Sequence, residues 1–503
     1  MEATSTRTSF VILAGLSLCT VGVYAAYRHA PLAISLHAPS VITATPHKPT
    51  PAPDPEPAPP LAAAASTLGA GEVKLSARLD RTAVLSGSDG VARVELTMEA
   101  GAGADGEAKP AHQPTDLLVV LDVSGSMSGQ KIEYARQALH QLIERVGPSD
   151  RFGLVTYESS AGVRIPLAAA SGGAAARWHR QVDTLEASGG TNISEGLELG
   201  LTQLERRESG RNARVLLLSD GQATAGDTST EGLRSRAQRF MRKEHVLSTM
   251  GIGDDFNEDV MTGIAETGTG NFYYLSRVAL LGRFFDAELK AAGETVASAL
   301  ELQFAGASNI QVLDVSGYEL ERSGKNTVVR PGNLYAGQKR TLWVTLQLPT
   351  DKLRDLDVGR FVLRYKHRDQ ARELSTGELP QIACVADRER WKRSIDKSLW
   401  EQNLMTEQFQ DAQLQVGRAV GSGDAAGIEA AVKRFSDNRE LARELGSSNA
   451  LSKIEALEGE RSAAKGAAAA PAATRGYEAK RMKSRAQFER RADSYNSDPL
   501  EGM

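Results

Sequence analysis

The sequence predicts an α/β protein with an open, mostly parallel sheet, followed by or inserted in a β-sandwich, and a helical segment after it. Apolar runs at 117–121 and 215–218 are typical of strands buried on both faces. They alternate with amphipathic helical stretches such as 131–146, which is the pattern of a parallel sheet covered by helices. Strand patterns that return between 294 and 383 predict the sandwich.

Length and composition set broad limits on the protein. Its 503 residues are too many for one hydrophobic core, so several domains are expected. A hydrophobic fraction of 41%, a charged fraction of 24% and a net charge of −4 indicate neither a nucleic-acid binder nor a strongly acidic scaffold. The two cysteines, Cys19 and Cys384, predict neither a structural disulfide nor a cysteine-based zinc site.

The N-terminus predicts export. Arg7 precedes the apolar run 10–27, whose length lies between a signal-peptide core and a short membrane span. Residues 1–30 are therefore a retained membrane anchor or a cleaved signal, and the sequence leaves both open. Either one places the bulk of the chain outside the cytoplasm, at the cell envelope. The Pro/Ala-rich residues 31–69 predict a stiff, extended linker.

A short β segment, 70–112, precedes the alternating region. Within it Val94, Leu96 and Met98 alternate with polar residues, as in a half-buried strand. So few residues do not form a stable sheet alone. We therefore expect them to join the sandwich predicted at 294–385, which makes the α/β domain at 113–293 an insertion.

The α/β domain shows the element order of a Rossmann-like sheet. Beyond the two apolar runs above, strands are predicted at 152–157, 247–252 and 272–275. The other predicted helices are 174–185, 193–204, 231–244, 258–266 and one that ends near Ala292.

The C-terminal part separates into two segments. Residues 386–460 have a helical pattern in which Trp391, Ile395 and Leu399 recur at four-residue spacing, as expected for a helix packed on its own domain. Residues 461–503 are low in complexity and partly basic, which predicts a disordered tail. Contact of that tail with anionic lipid or polymer is the alternative.

Three polar segments follow strands or precede a helix of the α/β domain. The first, 121–128, contains Asp122, Ser124 and Ser126; the second, 188–192, contains Thr191; the third, 218–222, contains Asp220. In an open parallel sheet the carboxyl ends of the strands share one edge, where ligands bind. These five side chains are therefore predicted to converge although they are far apart in sequence.

All five side chains offer oxygen ligands, which suit Mg²⁺, with Mn²⁺ or Ca²⁺ also possible. The three hydroxyls are neutral, so a bound cation keeps most of its charge. Such a site should bind a carboxylate from another molecule. If the segments are instead ordinary Gly/Ser turns with helix-capping aspartates, each is explained singly but their shared edge is not.

The Asp-x-Ser-x-Ser segment, with the Thr and the second Asp, resembles the metal-ion-dependent adhesion site (MIDAS) of von Willebrand factor A (VWA) domains, over about 115–292. The resemblance implies that Ser124 and Ser126 coordinate the metal directly and that Thr191 does so in the ligand-binding state. It implies that Asp122 and Asp220 act mainly through waters and hydrogen bonds, and that the sixth position takes an acidic residue of a partner. The flanking domains resemble those of bacterial membrane-anchored VWA proteins.

The sequence does not predict an enzyme. No Gly-x-Ser-x-Gly elbow surrounds Ser124 or Ser126, and the sequence contains neither a His-Glu-x-x-His pair nor a nucleotide-binding P-loop. The predicted function is cation-dependent capture of a protein ligand that offers an acidic side chain, or adhesion, at the cell envelope. The alternative is an assembly or regulatory subunit that docks on a membrane complex or channel. Contact with nucleic acid is not expected.

Overall fold

The computed structural model describes residues 72–102, 113–205, 210–253, 256–275, 281–307, 309–316, 318–323, 326–367 and 370–492. The predicted anchor or signal at 1–30 and the linker at 31–69 lie outside these residues. None of the helices in the described ranges has the length and apolar character needed to span a membrane.

Within residues 72–102, three strands precede the α/β domain: β1 (Val73–Leu79), β2 (Ala83–Leu85) and β3 (Val91–Ala100). β1 pairs antiparallel with β3. Val94, Leu96 and Met98 of β3 are fully buried, as their alternation predicts.

In its described residues, the α/β domain forms one six-stranded sheet between two layers of helices. Its strands are β4 (Thr115–Asp122), β5 (Arg151–Tyr157), β6 (Ala161–Ala169), β7 (Asn212–Ser219), β8 (His245–Ile252) and β9 (Thr269–Leu275). The strand order is β6-β5-β4-β7-β8-β9, with β6 antiparallel and every other neighbouring pair parallel. The fully apolar stretches of β4 and β7 lie at the centre because both of their faces are covered.

The helices of this domain are α1 (Gln130–Arg145), α2 (Ala174–Asp183), α3 (Ile193–Leu204), α4 (Thr230–Arg242), α5 (Glu258–Thr267) and α6 (Leu281–Gly293). α1, α2 and α6 contribute to the core on one face of the sheet. α3, α4 and α5 contribute to the core on the other. The predicted α/β architecture is confirmed.

The sandwich strands follow α6. They are β10 (Thr295–Gly306), β11 (Gln311–Val315), β12 (Glu321–Ser323), β13 (Asn326–Val329), β14 (Leu334–Tyr335), β15 (Lys339–Gln347), β16 (Arg354–Leu356), β17 (Gly359–His367), β18 (Gln370–Ser375) and β19 (Ile382–Val385). β3 lies between β1 and β15 in a sheet of order β1-β3-β15-β11, and β2 pairs with β19. Since strands from before and after the α/β domain share these sheets, the predicted insertion is confirmed.

The remaining helices are α7 (Arg388–Arg393), α8 (Lys397–Asn403), α9 (Phe409–Ser422), α10 (Ala425–Ser436), α11 (Arg439–Glu444), α12 (Ser448–Ala468) and α13 (Ala472–Ala492). A π-helical turn, Leu404–Gln408, joins α8 to α9. Trp391 and Leu399 lie on two separate helices, α7 and α8, with Ile395 between them.

The prediction of a disordered tail from residue 461 is wrong as far as residue 492, because this stretch belongs to α12 and α13. Alanine is the strongest helix former, and its small side chain lets helices approach closely. Ala479 of α13 is buried against α9, where a Cβ placed on Gly421 would lie 3.2 Å from the Ala479 Cβ. Lys483 extends the contact to the α/β domain, with its Nζ 2.9 Å from Asp259 Oδ1 of α5.

Candidate metal centre

Asp122 ends β4 at the carboxyl edge of the sheet, and its side chain is fully buried. Its Oδ1 accepts a hydrogen bond from the Ser124 backbone N–H (2.9 Å), and its Oδ2 accepts one from the Ser219 hydroxyl (2.7 Å). Burial raises the pKa of Asp122, although the hydrogen bonds from Ser124 and Ser219 oppose the rise. A nearby cation would favour the ionised carboxylate.

The two serines of the Asp-x-Ser-x-Ser segment face each other across a tight turn. The chain is extended at Ser124 and then forms one 3₁₀ turn over Gly125–Met127. This geometry places the hydroxyl oxygens of Ser124 and Ser126 3.1 Å apart. Ser124 is buried and Ser126 is exposed, so the pair extends from the interior to the surface.

Asp220 follows β7, the strand next to β4, and is also fully buried. Its Oδ1 accepts a hydrogen bond from the Ser126 hydroxyl (2.7 Å). Its Oδ2 accepts one from the Lys131 ammonium (2.5 Å), which comes from the first turn of α1. One carboxylate thus joins the serine loop to a cationic side chain.

The loop that carries Thr191 is held against the serine loop by backbone hydrogen bonds. Gly125 N donates to Gly189 O (3.1 Å), and Ser188 N donates to Val123 O (2.8 Å). Gly189 has a φ of +72°, a left-handed conformation that favours glycine in this turn. The two segments are therefore fixed next to each other at the edge of the sheet.

Thr191 itself is almost fully buried. Its backbone N–H donates to the Thr224 hydroxyl (2.9 Å), and its carbonyl accepts from Thr224 N (2.9 Å). A Cβ placed on Gly221 would lie 3.4 Å from Ser126 Oγ and 3.8 Å from Thr191 Oγ1. The hydroxyls of Ser126 and Thr191 therefore border the same space, next to Gly221, where glycine has no side chain. The structure thus brings all five predicted residues together.

This donor set fits a hard divalent cation. It consists of three hydroxyls and two carboxylates, which are the oxygen ligands that Mg²⁺, Mn²⁺ and Ca²⁺ prefer. In the described part of the chain, no three His, Cys, Asp or Glu side chains are grouped as a metal site. The five donors include only two residues of those types, Asp122 and Asp220, because hydroxyls supply the other three.

Sequence reasoning missed three side chains around the site. Ser219 and Thr224 hold Asp122 and Thr191 in place, and hydroxyl residues in loops give no distinctive sequence signal. Lys131 lies in the first turn of α1, where the helix dipole disfavours a cation, but its contact with Asp220 cannot be read from the local sequence.

Comparison with known proteins identifies the domain. Residues 116–287 match the family model of the von Willebrand factor type A domain. The protein sll0103 of Synechocystis sp. is 29% identical over 264 residues, which are 50% of this chain and 61% of that protein. YfbK of Escherichia coli is 29% identical over 248 residues, 47% of this chain and 42% of that protein. The chain thus matches less than two thirds of the length of these relatives.

Other relatives and two solved structures agree with this match. Inter-alpha-trypsin inhibitor heavy chain H4 of Bos taurus is 29% identical over 149 residues, 28% of this chain and 16% of that protein. A von Willebrand factor type A structure from Catenulispora acidiphila has a TM-score of 0.58 at 18% identity and covers 76% of this chain and 89% of its own. The ArnB paralog VWA2 from Sulfolobus acidocaldarius has a TM-score of 0.52 at 15% identity, covering 82% and 98%.

The two structural likenesses concern the fold, and the family match concerns the inserted α/β domain. VWA domains commonly serve as protein-interaction modules. The chain therefore carries a von Willebrand factor type A domain, inserted in a β-sandwich and bearing five oxygen-donor side chains at the carboxyl edge of its central sheet.

Proposed function

We propose that the VWA domain binds a divalent cation and uses it to capture an acidic side chain of a partner protein. The ion is Mg²⁺, with Mn²⁺ or Ca²⁺ as alternatives. Ser124, Ser126 and Thr191 would hold it directly, while Asp122 and Asp220 would act through waters and hydrogen bonds. A bound cation would supply the positive charge that attracts a carboxylate.

The observation that carries this proposal is the contact between Ser126 and Asp220. A hydroxyl from the first loop and a carboxylate from the third lie 2.7 Å apart, beside the glycine that Thr191 also flanks. Neutral hydroxyls as direct ligands would leave the cation open to an incoming carboxylate, while Asp122 and Asp220 would balance its formal charge only through waters and hydrogen bonds. The two carboxylates are buried and already engaged in hydrogen bonds, which favours an indirect role for them.

We further propose that capture takes place at the cell envelope, in adhesion or ligand binding. The support comes from the sequence, in which an apolar N-terminal run precedes a Pro/Ala-rich linker. We propose a binding role rather than a catalytic one, because the five side chains are oxygen donors of the kind that hold a hard cation.

A second candidate is an assembly or regulatory subunit of a membrane complex. It is favoured by the connection between the VWA domain and the sandwich, because α6 is followed almost directly by β10. Arg214 of the VWA domain also donates a hydrogen bond to the Tyr335 hydroxyl of β14 (2.5 Å). A domain held in this way is suited to transmit docking at one end to the rest of the protein.

Titration of the full chain with Mn²⁺, followed by calorimetry and by electron paramagnetic resonance of the free ion, tests the metal site. We expect saturable binding at one site in the wild type. Asp122→Asn and Ser126→Ala should each weaken it at least about tenfold, since a tenfold loss needs only ~1.4 kcal/mol. Asp227→Asn is the matched control because Asp227 is a partly exposed carboxylate of the loop after β7 that pairs with Arg236.

Equal Mn²⁺ binding in the wild type, Asp122→Asn and Ser126→Ala would contradict the site. The capture step is tested with acetate, added to Mn²⁺-loaded protein and followed by the relaxation of water protons. Displacement of metal-bound water in the wild type supports an open position for a carboxylate. Unchanged relaxation at saturating acetate would contradict it.

A further inference from the structure

Lys131 places a positive charge inside the candidate metal centre. It is the second residue of α1, and its Nζ lies 2.5 Å from Asp220 Oδ2. The other oxygen of the same carboxylate accepts the Ser126 hydroxyl at 2.7 Å. Asp220 therefore connects the ammonium to a hydroxyl that would hold the cation.

The surroundings hold the ammonium at this point. The Lys131 side chain is 29% exposed whereas that of Asp220 is fully buried, so the lysine lies between the carboxylate and solvent. A Cβ placed on Gly253, just after β8, would lie 3.8 Å from Lys131 Nζ. Because a helix dipole disfavours a cation in the first turn, the Asp220 carboxylate is the local group that stabilises the lysine there.

A count of formal charges shows the consequence. Asp122 and Asp220 together contribute −2, so a divalent cation alone would bring the centre to zero. The ammonium of Lys131 brings the cation-loaded centre to +1. Like charges repel and opposite charges attract more strongly in a partly desolvated site than in water. The lysine therefore opposes the cation and favours an incoming carboxylate.

We propose that the positive charge of Lys131 weakens binding of the divalent cation and strengthens capture of the acidic partner by the cation-loaded site. This inference rests on the proposed function, since it assigns Lys131 a role at the same site. The cation site would then fill only at higher metal concentration, and the filled site would bind a carboxylate more tightly.

The test compares full-length wild type with Lys131→Met. This substitution removes the positive charge and keeps an unbranched side chain of similar length. We expect Mn²⁺ to bind about tenfold more tightly to the variant and acetate to bind the Mn²⁺-loaded variant about tenfold more weakly. Mn²⁺ affinity is measured by electron paramagnetic resonance of the free ion, and acetate affinity by water-proton relaxation.

Three further variants control for folding and for general charge effects. Lys131→Gln is a second neutral variant, and Lys131→Arg keeps the charge and should retain wild-type affinities. Lys243→Met removes a surface lysine that pairs with Glu205, near the start of β8 and away from the carboxyl edge. It should leave both affinities unchanged. Circular dichroism establishes that each variant is folded.

The possible outcomes separate this inference from the function on which it rests. If the wild type binds no Mn²⁺, the metal site fails and the role of Lys131 fails with it. If the wild type binds Mn²⁺ but neutral variants leave either affinity unchanged, only the role of Lys131 is overturned. A Lys131→Arg variant that behaves like Lys131→Met would also overturn it, because the charge would then not be the cause.

Discussion

Replacing Glu288 should destabilise the VWA domain more than replacing any exposed carboxylate. Glu288 lies on α6, is almost fully buried and forms an ion pair with the equally buried Arg214 of β7. It also accepts hydrogen bonds from Tyr273 Oη (2.6 Å), Ser248 Oγ (3.0 Å) and Asn271 Nδ2 (3.1 Å). The carboxylate thus ties α6 to the three strands β7, β8 and β9.

The magnitude follows from what Glu288→Ala leaves behind. The Arg214 guanidinium would remain charged and buried, with the Tyr335 hydroxyl as a neutral partner. Removing one member of a buried ion pair costs ~3–5 kcal/mol of unfolding free energy. A double variant, Arg214→Met with Glu288→Leu, should recover most of this loss, because no unpaired charge remains.

The same group should make stability depend on pH. Burial alone would raise the pKa of Glu288, but the Arg214 charge and the hydrogen bonds from Tyr273 and Asn271 lower it below its ordinary value of 4.5. The unfolded chain then binds the proton more tightly than the folded one. The contribution of Glu288 is therefore fully present above pH 4.5 and is lost as the pH falls through the lowered pKa. Glu288→Gln should flatten this part of the profile.

Native-state hydrogen exchange, read by mass spectrometry on peptides of β7 and α6, measures the effect within this domain. A loss of ~3 kcal/mol corresponds to roughly a hundredfold faster exchange of the most protected amides. Glu198→Ala is the matched control, since its pair with Arg239 is half-exposed and is worth at most ~1 kcal/mol. Equal exchange in the Glu288 and Glu198 variants, or a double variant less stable than Glu288→Ala, would refute the reasoning.

Three further predictions concern other contacts. The Asp227 carboxyl should titrate near a pKa of about 2, because hydrogen bonds from Ser229 and Arg236 favour its ionised form; carbon NMR of Arg236→Ala should show it moving up towards 3.8, and an unmoved value would contradict the assignment. Tyr157→Phe removes the donor to the buried Leu218 carbonyl (2.8 Å) and should cost ~1–3 kcal/mol in denaturant unfolding, whereas an unchanged midpoint would mean that water replaces the hydroxyl. Gly417→Leu should force α13 away from α9 and speed tryptic cleavage within α13, since even a Cβ there would lie 2.8 Å from a side-chain carbon of α13; unchanged cleavage would show that the helices adjust.

The central sheet was predictable because its signals are local. The runs in β4 and β7 are continuous and apolar, as strands covered on both faces require. The edge strand β6 was not predicted, because most of it is exposed and it contains Pro166. Its antiparallel pairing with β5 depends on a neighbour that the local sequence does not reveal.

For the C-terminal segment, the sequence predicted disorder where the structure has the helices α12 and α13. Composition between 461 and 492 suggests a segment that cannot form a core, yet Ala464, Ala468 and Ala479 are buried in contacts between helices. Gly421 of α9 leaves space for Ala479 and Gly417 leaves space for Lys483 and Met482, and both glycines precede the tail by many residues. A rule based on the composition of the tail alone does not include the surface that receives it.

At the metal centre, the donor residues were predictable from sequence but the net charge was not. The five oxygen side chains were predictable because each follows a strand or precedes a helix at one edge of the sheet. Their charge balance was not, because it depends on Lys131, whose contact with Asp220 joins residues that are distant in sequence. Ligand type and spacing therefore identify where a cation would bind, whereas its affinity and its attraction for a carboxylate depend on neighbours that only the fold brings close. For this reason the Lys131 variants, rather than further substitutions of the five donors, test how the net charge of the site sets its affinity for the cation and for the carboxylate of a partner.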